Sequence, residues 1–210
     1  TYKKIYEKHL KNNKNSFDDD VSLFTFDNEK VITVIGSKKN LKITDKEDLD
    51  IYKSFKSKKN YMGIGFDIHK LVPKRKLFLG GIRIKSNSGT LGHSDGDPVL
   101  HAIIDSILGA SKMGDIGEMF SDKKKKFKNI RSSILLKKVM DKFISKGYEI
   151  NNLDINIICQ FPKIKKYKKN MIKNISNLCQ ISPNQINIKG KTTEKLGIIG
   201  KEKAVASEVI

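Results

Sequence analysis

Between Asp97 and Ala110 the chain reads DPVLHAIIDSILGA, and no other segment constrains the fold as strongly. Asp97 is a good helix N-cap, and Pro98 suits the first helical position, where the N–H it lacks has no partner in any case. Leu100, Ile103, Ile104, Ile107 and Leu108 then recur at helical spacing as an apolar stripe that has to be covered by another layer. Candidate layers lie on both sides. YMGIGFDIH (61–69) predicts a strand, and KLFLGGIRIK (76–85) alternates around Gly80 and Gly81 as a hairpin does. GDIGEMFSD (114–122) predicts a glycine-rich loop. A second helix is expected over about 131–146, with Leu135, Val139, Met140 and Phe143 on one face and Gly147 at its end. Strands are expected at 153–160, 185–190 and near KAVASEVI at the end, with a lysine-rich helix over about 165–178. This uneven alternation predicts an α+β fold, one sheet covered by helices.

With 210 residues, 38% of them hydrophobic, there is room for one ordinary domain and additional segments. No run approaches the roughly 20 apolar residues of a membrane span, so no membrane partner is expected. The chain begins at Thr1 without a methionine and is expected to be a processed or trimmed product. Cys159 and Cys179 stand 20 positions apart in separate elements, which gives no disulfide framework and points to a reducing compartment. A net charge of +19 attracts polyanions. The surplus, however, sits in lysine–asparagine runs such as KKNLKI, KKKKFKN and KKYKKN, while arginines and clustered aromatics are scarce, so no nucleic-acid surface is expected. Residues 1–60 hold 14 basic and 10 acidic residues and one apolar run, KVITVIG. They are expected to form a polar Lys/Asn-rich extension, disordered in part. The working domain is expected at 61–210.

Three of the four histidines fall between positions 69 and 101. Asp67 and His69, two apart on a strand, point to one face and can share an ion. His101, on the helix after Asp97, completes a carboxylate–imidazole–imidazole set that leaves a fourth tetrahedral position open. The other reading is a strand histidine and a helix histidine with ordinary hydrogen bonds, since the spacing does not dictate the third ligand. Asp105, four residues after His101, lies on the same helical face and can orient the imidazole. His93, Ser94, Asp95 and Gly96 precede that helix in a small-residue loop, where backbone N–H groups favour a phosphate. GKTTEKLG (190–197) offers Thr192 and Thr193 for phosphate oxygens and Glu194 for a hard cation such as Mg2+, though the same letters suit an exposed loop. GIGF lacks the third glycine of a dinucleotide fingerprint, no G-x-x-x-x-G-K-[ST] occurs, and no serine or cysteine sits in a nucleophile elbow.

Taken in order, GIGFDIH, LFLGGIRI, GTLGHSDGDPVLHAIIDSILGA, GDIGEMF, QFPK and KTTEKLG resemble the 2-C-methyl-D-erythritol 2,4-cyclodiphosphate synthases of the non-mevalonate isoprenoid pathway. The resemblance covers nearly all of 61–210. It implies a four-stranded sheet with helices packed on one face, assembled as a homotrimer with active sites between subunits. It also implies a phosphorus–oxygen lyase that cyclises a cytidyl diphosphate ester of methylerythritol 2-phosphate and releases CMP. Asp67, His69 and His101 are then the zinc ligands, and Glu194 holds a second divalent ion, Mg2+ or Mn2+. His93, Ser94, Thr193 and Glu194 carry catalysis. Asp115, Ile116, Gly117, Phe120 and Asp122 bind ribose and erythritol, and Cys159, Lys163, Ile164, Lys165 and Thr192 bind cytosine and phosphate from the neighbouring subunit.

The chain departs from the family's pattern at several points. Lys201 and Lys203 stand where Arg and Glu are common near the trimer axis, and Cys159 replaces a smaller residue. A lysine-rich insert occupies 123–126. The end at Ile210 is expected to trim an edge of the sheet. Because the pathway belongs to bacteria and plastids, the polar extension suggests a plastid-type organelle such as an apicoplast or chloroplast, with the bacterial cytoplasm as the other option. Two other functions stand beside the cyclase: a metal-dependent phosphohydrolase on a similar site, and a basic nucleic-acid-binding module.

Overall fold

Two glycines decide how closely the first strand of the sheet approaches the helix predicted after Asp97. A Cβ on Gly65 would come within 1.9 Å of the Ala102 carbonyl oxygen, and one on Gly63 within 1.9 Å of the Ser106 carbonyl oxygen. No side chain fits there, so GIG serves backbone-to-helix contact and not a nucleotide. The computed structural model describes residues 2–11, 20–26, 28, 30–37, 40, 42–55, 59–121, 127 and 129–210. It divides into two units, Thr1–Lys58 and Lys59–Ile210.

The first unit holds helices α1 (Tyr2–Lys11), α2 (Asp20–Phe26) and α3 (Lys46–Phe55). Ile5 is buried, and α1 touches α2. The start of α3 is capped locally: Asp48 N–H donates to Asp45, and the Asp48 carboxylate accepts from Thr44 N–H and Oγ1. Within the polar extension expected over 1–60, three helices are found among the described residues. The apolar run forms neither helix nor strand, and Ile32, Val34 and Ile35 are exposed.

The second unit has a five-stranded sheet in the order β4–β1–β7–β5–β6: β1 (Gly65–Pro73), β4 (Ser88–Thr90), β5 (Leu153–Ile158), β6 (Ile186–Lys191) and β7 (Ala204–Val209). All neighbouring pairs are antiparallel except β5 and β6. Four strands were expected. The fifth, Ser-Gly-Thr, is too short and too small to show any periodicity, and its pairing with Leu71, Val72 and Pro73 alone makes it a strand. β1 starts four residues later than its hydrophobic pattern suggests and runs to Pro73. The last strand lies between β1 and β5, at the centre of the sheet, so the trimmed edge expected from the end at Ile210 is not found.

Helix α4 (Pro98–Ala110) packs on β1 and β7, α6 (Ser132–Ser145) packs on α4, and α7 (Lys168–Cys179) packs on α6 and β6. Every member of the two predicted helical stripes is buried. Strands β2 (Leu77–Leu79) and β3 (Ile82–Ile84) form the expected hairpin. Gly80 and Gly81, at φ +61° and +78°, supply the left-handed conformations of its two-residue turn. Asp97 ties this turn to α4. Its buried carboxylate accepts from Val99 and Leu100 N–H as the helix cap and from Gly80 and Gly81 N–H at 3.0 and 2.6 Å. Within the predicted loop 114–122, Ile116–Met119 forms a single helical turn, α5, capped by Asp115.

Candidate metal centre

The alternation of β1 turns Phe66, Ile68 and Lys70 outward and places Asp67 and His69 against α4, where His101 meets them. Asp67 Oδ2 lies 2.9 Å from His69 Nε2 and 2.9 Å from His101 Nδ1, and the two nitrogens are 3.2 Å apart. A tetrahedral ion with bonds of about 2.0–2.1 Å needs ligand atoms roughly 3.3 Å from one another. The three donors meet that requirement to within a few tenths of an ångström. Their side chains are 23, 18 and 12% exposed, so a ligand can approach from one side while the rest of the cluster stays dry. Burial alone would raise the Asp67 carboxyl, but hydrogen bonds from His101 and His69 overcome it and hold the group well below the usual carboxylate range. Burial likewise works against a charge on His69, and the Asp67 carboxylate outweighs it, raising that imidazole. Asp67 is thus held as a carboxylate, and a cation binding there would displace the protons that the imidazoles share with it.

Other predicted residues occupy different situations. The N-terminus of α4 is not open to phosphate: Asp97 fills it, Asp95 N–H donates to the Ile130 carbonyl, and Gly96 N–H donates to Ser94 Oγ. The general preference of helix ends for anions is satisfied here by the chain's own carboxylate. Ser94 is buried with its hydroxyl 3.0 Å from His101 Nε2. His93 Nε2 is buried and has no hydrogen-bond partner among the described residues. Asp105 accepts from Ile116 N–H at 2.8 Å and so anchors α5. Its carboxyl is raised by burial, against the opposing effect of that bond. The groups beside the His101 Nε2 atom are Ser132, at 2.8 Å, and Ser94. Ser132 is 31 positions from His101, so no local spacing announces it.

Asp115 caps α5 through Glu118 N–H, Gly117 is exposed, and Phe120 is buried edge-on against Phe127. Asp122 and the insert 123–126 lie outside the described residues. Cys159, Ile164 and Thr192 come together at the ends of β5 and β6. Cys159 N–H donates to the Lys191 carbonyl, and Ile164 packs on Gly190, where a Cβ would meet it at 3.0 Å. Lys163 and Lys165 flank this corner and are exposed. Burial pushes the Cys159 thiol up to about 11 and the Cys179 thiol to about 12, so neither is a nucleophile near neutral pH. Thr192 Oγ1 donates to Glu194 at 2.6 Å, and Thr193 Oγ1 donates to the Leu196 carbonyl. Glu194 and Lys195 both have positive φ, 49° and 64°, and Leu196 N–H closes a turn onto the Thr193 carbonyl.

The family model described as YgbB family matches residues 61–210. Over all 210 of its residues the chain is 59% identical to the Bifunctional enzyme IspD/IspF of Pelagibacter ubique, and it spans 55% of that protein, about half its length. It is 49% identical over 149 residues to the 2-C-methyl-D-erythritol 2,4-cyclodiphosphate synthase of Clostridium acetobutylicum, a match covering 71% of this chain and 96% of the relative. A solved structure, the CDP complex of IspF from Plasmodium falciparum, is similar with a TM-score of 0.63 at 44% identity, over 71% of this chain and 92% of that one.

Proposed function

The chain belongs to the YgbB family, and from that premise we propose that its second unit is a cyclodiphosphate synthase. It converts 4-diphosphocytidyl-2-C-methyl-D-erythritol 2-phosphate into 2-C-methyl-D-erythritol 2,4-cyclodiphosphate and CMP, as a phosphorus–oxygen lyase of isoprenoid precursor synthesis. The observation that carries this reading is the convergence of Asp67, His69 and His101 on one ligand position. The CDP in the Plasmodium relative supports a cytidine nucleotide as the leaving portion.

An oxygen of the 2-phosphate forms a bond to the β-phosphorus, the bond from that phosphorus to the bridging oxygen breaks, and its electron pair leaves with CMP. No enzyme nucleophile takes part, in keeping with two thiols made inert by burial. When bound, zinc on Asp67, His69 and His101 supplies Lewis-acid polarisation of a phosphate oxygen, and Mg2+ or Mn2+ on Glu194 offsets the repulsion between phosphates. The protein's own contribution is positioning. His93, with its unpartnered buried nitrogen, and Ser94 orient the phosphorylated erythritol, and Thr192 and Thr193 hold diphosphate oxygens. Asp115, Ile116, Gly117 and Phe120 line the sugar side, and Asp122 is assigned to the erythritol hydroxyls. Cys159, Lys163, Ile164 and Lys165 form the cytosine side.

The sheet register supports a site shared between subunits. Asp67, Ser207, Ile157 and Gly190 lie in one row across β1, β7, β5 and β6. Three strand spacings of about 4.8 Å separate β1 from β6 by ~14 Å. Asp67 and the turn after β6 are therefore too far apart in one subunit to grip the same diphosphate. A homotrimer that brings the turn of one copy to the metal centre of the next resolves this. The bacterial sources of the two curated relatives favour a bacterial cytoplasm over a plastid, and no described helix is long and apolar enough to cross a membrane.

The test is incubation of the metal-replete protein with the cytidyl diphosphate substrate, measuring both CMP and cyclodiphosphate. Stoichiometric formation of the two is expected. CMP with a ring-opened product would make the protein a phosphohydrolase instead.

A further inference from the structure

His101 is engaged through both ring nitrogens. Nδ1 faces Asp67, and Nε2, on the far side of the ring, lies 2.8 Å from Ser132 Oγ and 3.0 Å from Ser94 Oγ. Ser132 has no solvent exposure, so water does not compete for its hydroxyl. That hydroxyl has a single proton, and the Asp95 carboxylate takes it: Ser132 Oγ and Ser132 N–H both meet Asp95 Oδ1, the latter at 3.1 Å. Asp95 Oδ2 is 2.9 Å from Arg131 Nε, an ion pair that lacks the alignment of a hydrogen bond. Arg131 is itself held by the Gly81 carbonyl at 3.0 Å and by the face of Phe78 at 4.0 Å. A continuous path thus runs from the ligand position through His101, Ser132 and Asp95 to Arg131.

Since Ser132 donates to Asp95, its oxygen can only accept from His101, so an imidazole that gives its Nδ1 lone pair to an ion carries its proton on Nε2 and donates it to Ser132. Outer partners of this kind fix tautomer and ring orientation at metal sites. We infer that Ser132, oriented by Asp95 and Arg131, is a positioning residue that holds His101 as the Nε2–H tautomer with Nδ1 free for the ion. This rests on the reading of Asp67, His69 and His101 as metal ligands. It assigns to Ser132 and Asp95 the orienting role that helical spacing suggests for Asp105.

The experiment measures zinc affinity of the full chain by chelator competition for the parent, Ser132→Ala, Asp95→Asn and Asp67→Ala, together with nitrogen-15 NMR of the His101 ring in the zinc-loaded parent. Ser132→Ala is expected to weaken zinc binding roughly 10–100-fold, Asp95→Asn to weaken it less, and the parent ring to show an Nε2 proton that exchanges slowly with water. Zinc affinity of Ser132→Ala within about twofold of the parent, in a variant with unchanged thermal unfolding, would overturn the inference. Should Ser132→Ala fail to fold, the zinc-loaded parent decides: an Nε2 proton in fast exchange with water rejects the role of Ser132. The control separates the two levels. Loss of zinc in Asp67→Ala with an undisturbed Ser132→Ala sinks only this inference, whereas parent-like zinc binding by Asp67→Ala sinks the metal reading itself.

Discussion

The metal centre and the turn after β6 are the two chemically richest regions of the second unit, and they are built in opposite ways. The centre is assembled by tertiary structure: one residue pair from a strand, one histidine from a helix packed on it, and a buried hydrogen-bonded path behind that histidine. The turn is assembled locally. Thr192, Thr193 and Glu194 are bonded to residues two or three positions away, Thr192 and Glu194 are exposed, and two successive residues occupy the left-handed region. A preassembled buried cluster can bind its ion before substrate arrives. An exposed, self-bonded turn needs a partner to give it a binding role, and strained backbone of this sort is stored where other contacts determine it.

The contrast can be broken most sharply at Asp67. Asp67→Ala removes the oxygen shared by both histidines, and metal analysis should find almost no zinc, with CMP release down by about 4 kcal/mol, roughly a thousandfold. Retention of zinc would mean that the cluster is not a site. Next in size is Asp97→Ala, which leaves four backbone N–H groups without their acceptor in the scaffold that holds α4 against the hairpin. Urea unfolding should show a loss of about 3 kcal/mol, while Glu194→Ala should leave the midpoint unchanged. Glu194→Gln is expected to lower turnover roughly 100-fold, the lower end for removal of a charge-stabilising group, with zinc content intact. Mixing it with the Asp67→Ala variant under subunit exchange should restore part of the activity, and no recovery would argue against a site divided between copies.

Smaller effects test how far the exposure of the turn reaches inward. With its thiol raised to about 11 by burial, Cys159 should resist a thiol reagent at pH 8 in the native chain and react in urea. Because the native thiol keeps its proton while the unfolded one loses it near ~8.5, stability is unaffected below that pH and falls as pH climbs toward 11. Rapid native labelling would show that the corner beside Thr192 opens. The smallest change is expected from Lys195→Gly, which relieves a left-handed residue without touching the metal centre. Thermal unfolding should show stabilisation of at most ~1 kcal/mol.

Residues whose partners are near in sequence were legible. The cap at Asp97, the stripe from Leu100 to Leu108, the Gly80–Gly81 turn and the shared face of Asp67 and His69 all follow from helical, strand or turn periodicity, and each appears as expected. Residues whose role depends on distant pairing were not. Ser88–Thr90 becomes a strand only because β1 lies beside it, and the α4 N-terminus refuses phosphate only because the Asp97 side chain reaches both it and the hairpin. Asp105 has the right helical spacing to support His101, yet its carboxylate is drawn to Ile116, and Ser132 arrives from another helix.

Sequence alone determined which side chains were chemically able to bind a divalent ion and which local elements would carry them, because those properties belong to residue type and short-range geometry. Tertiary structure decided which of them meet and with which support, because hydrogen-bond partners and ligand distance depend on surfaces that only long-range packing brings together.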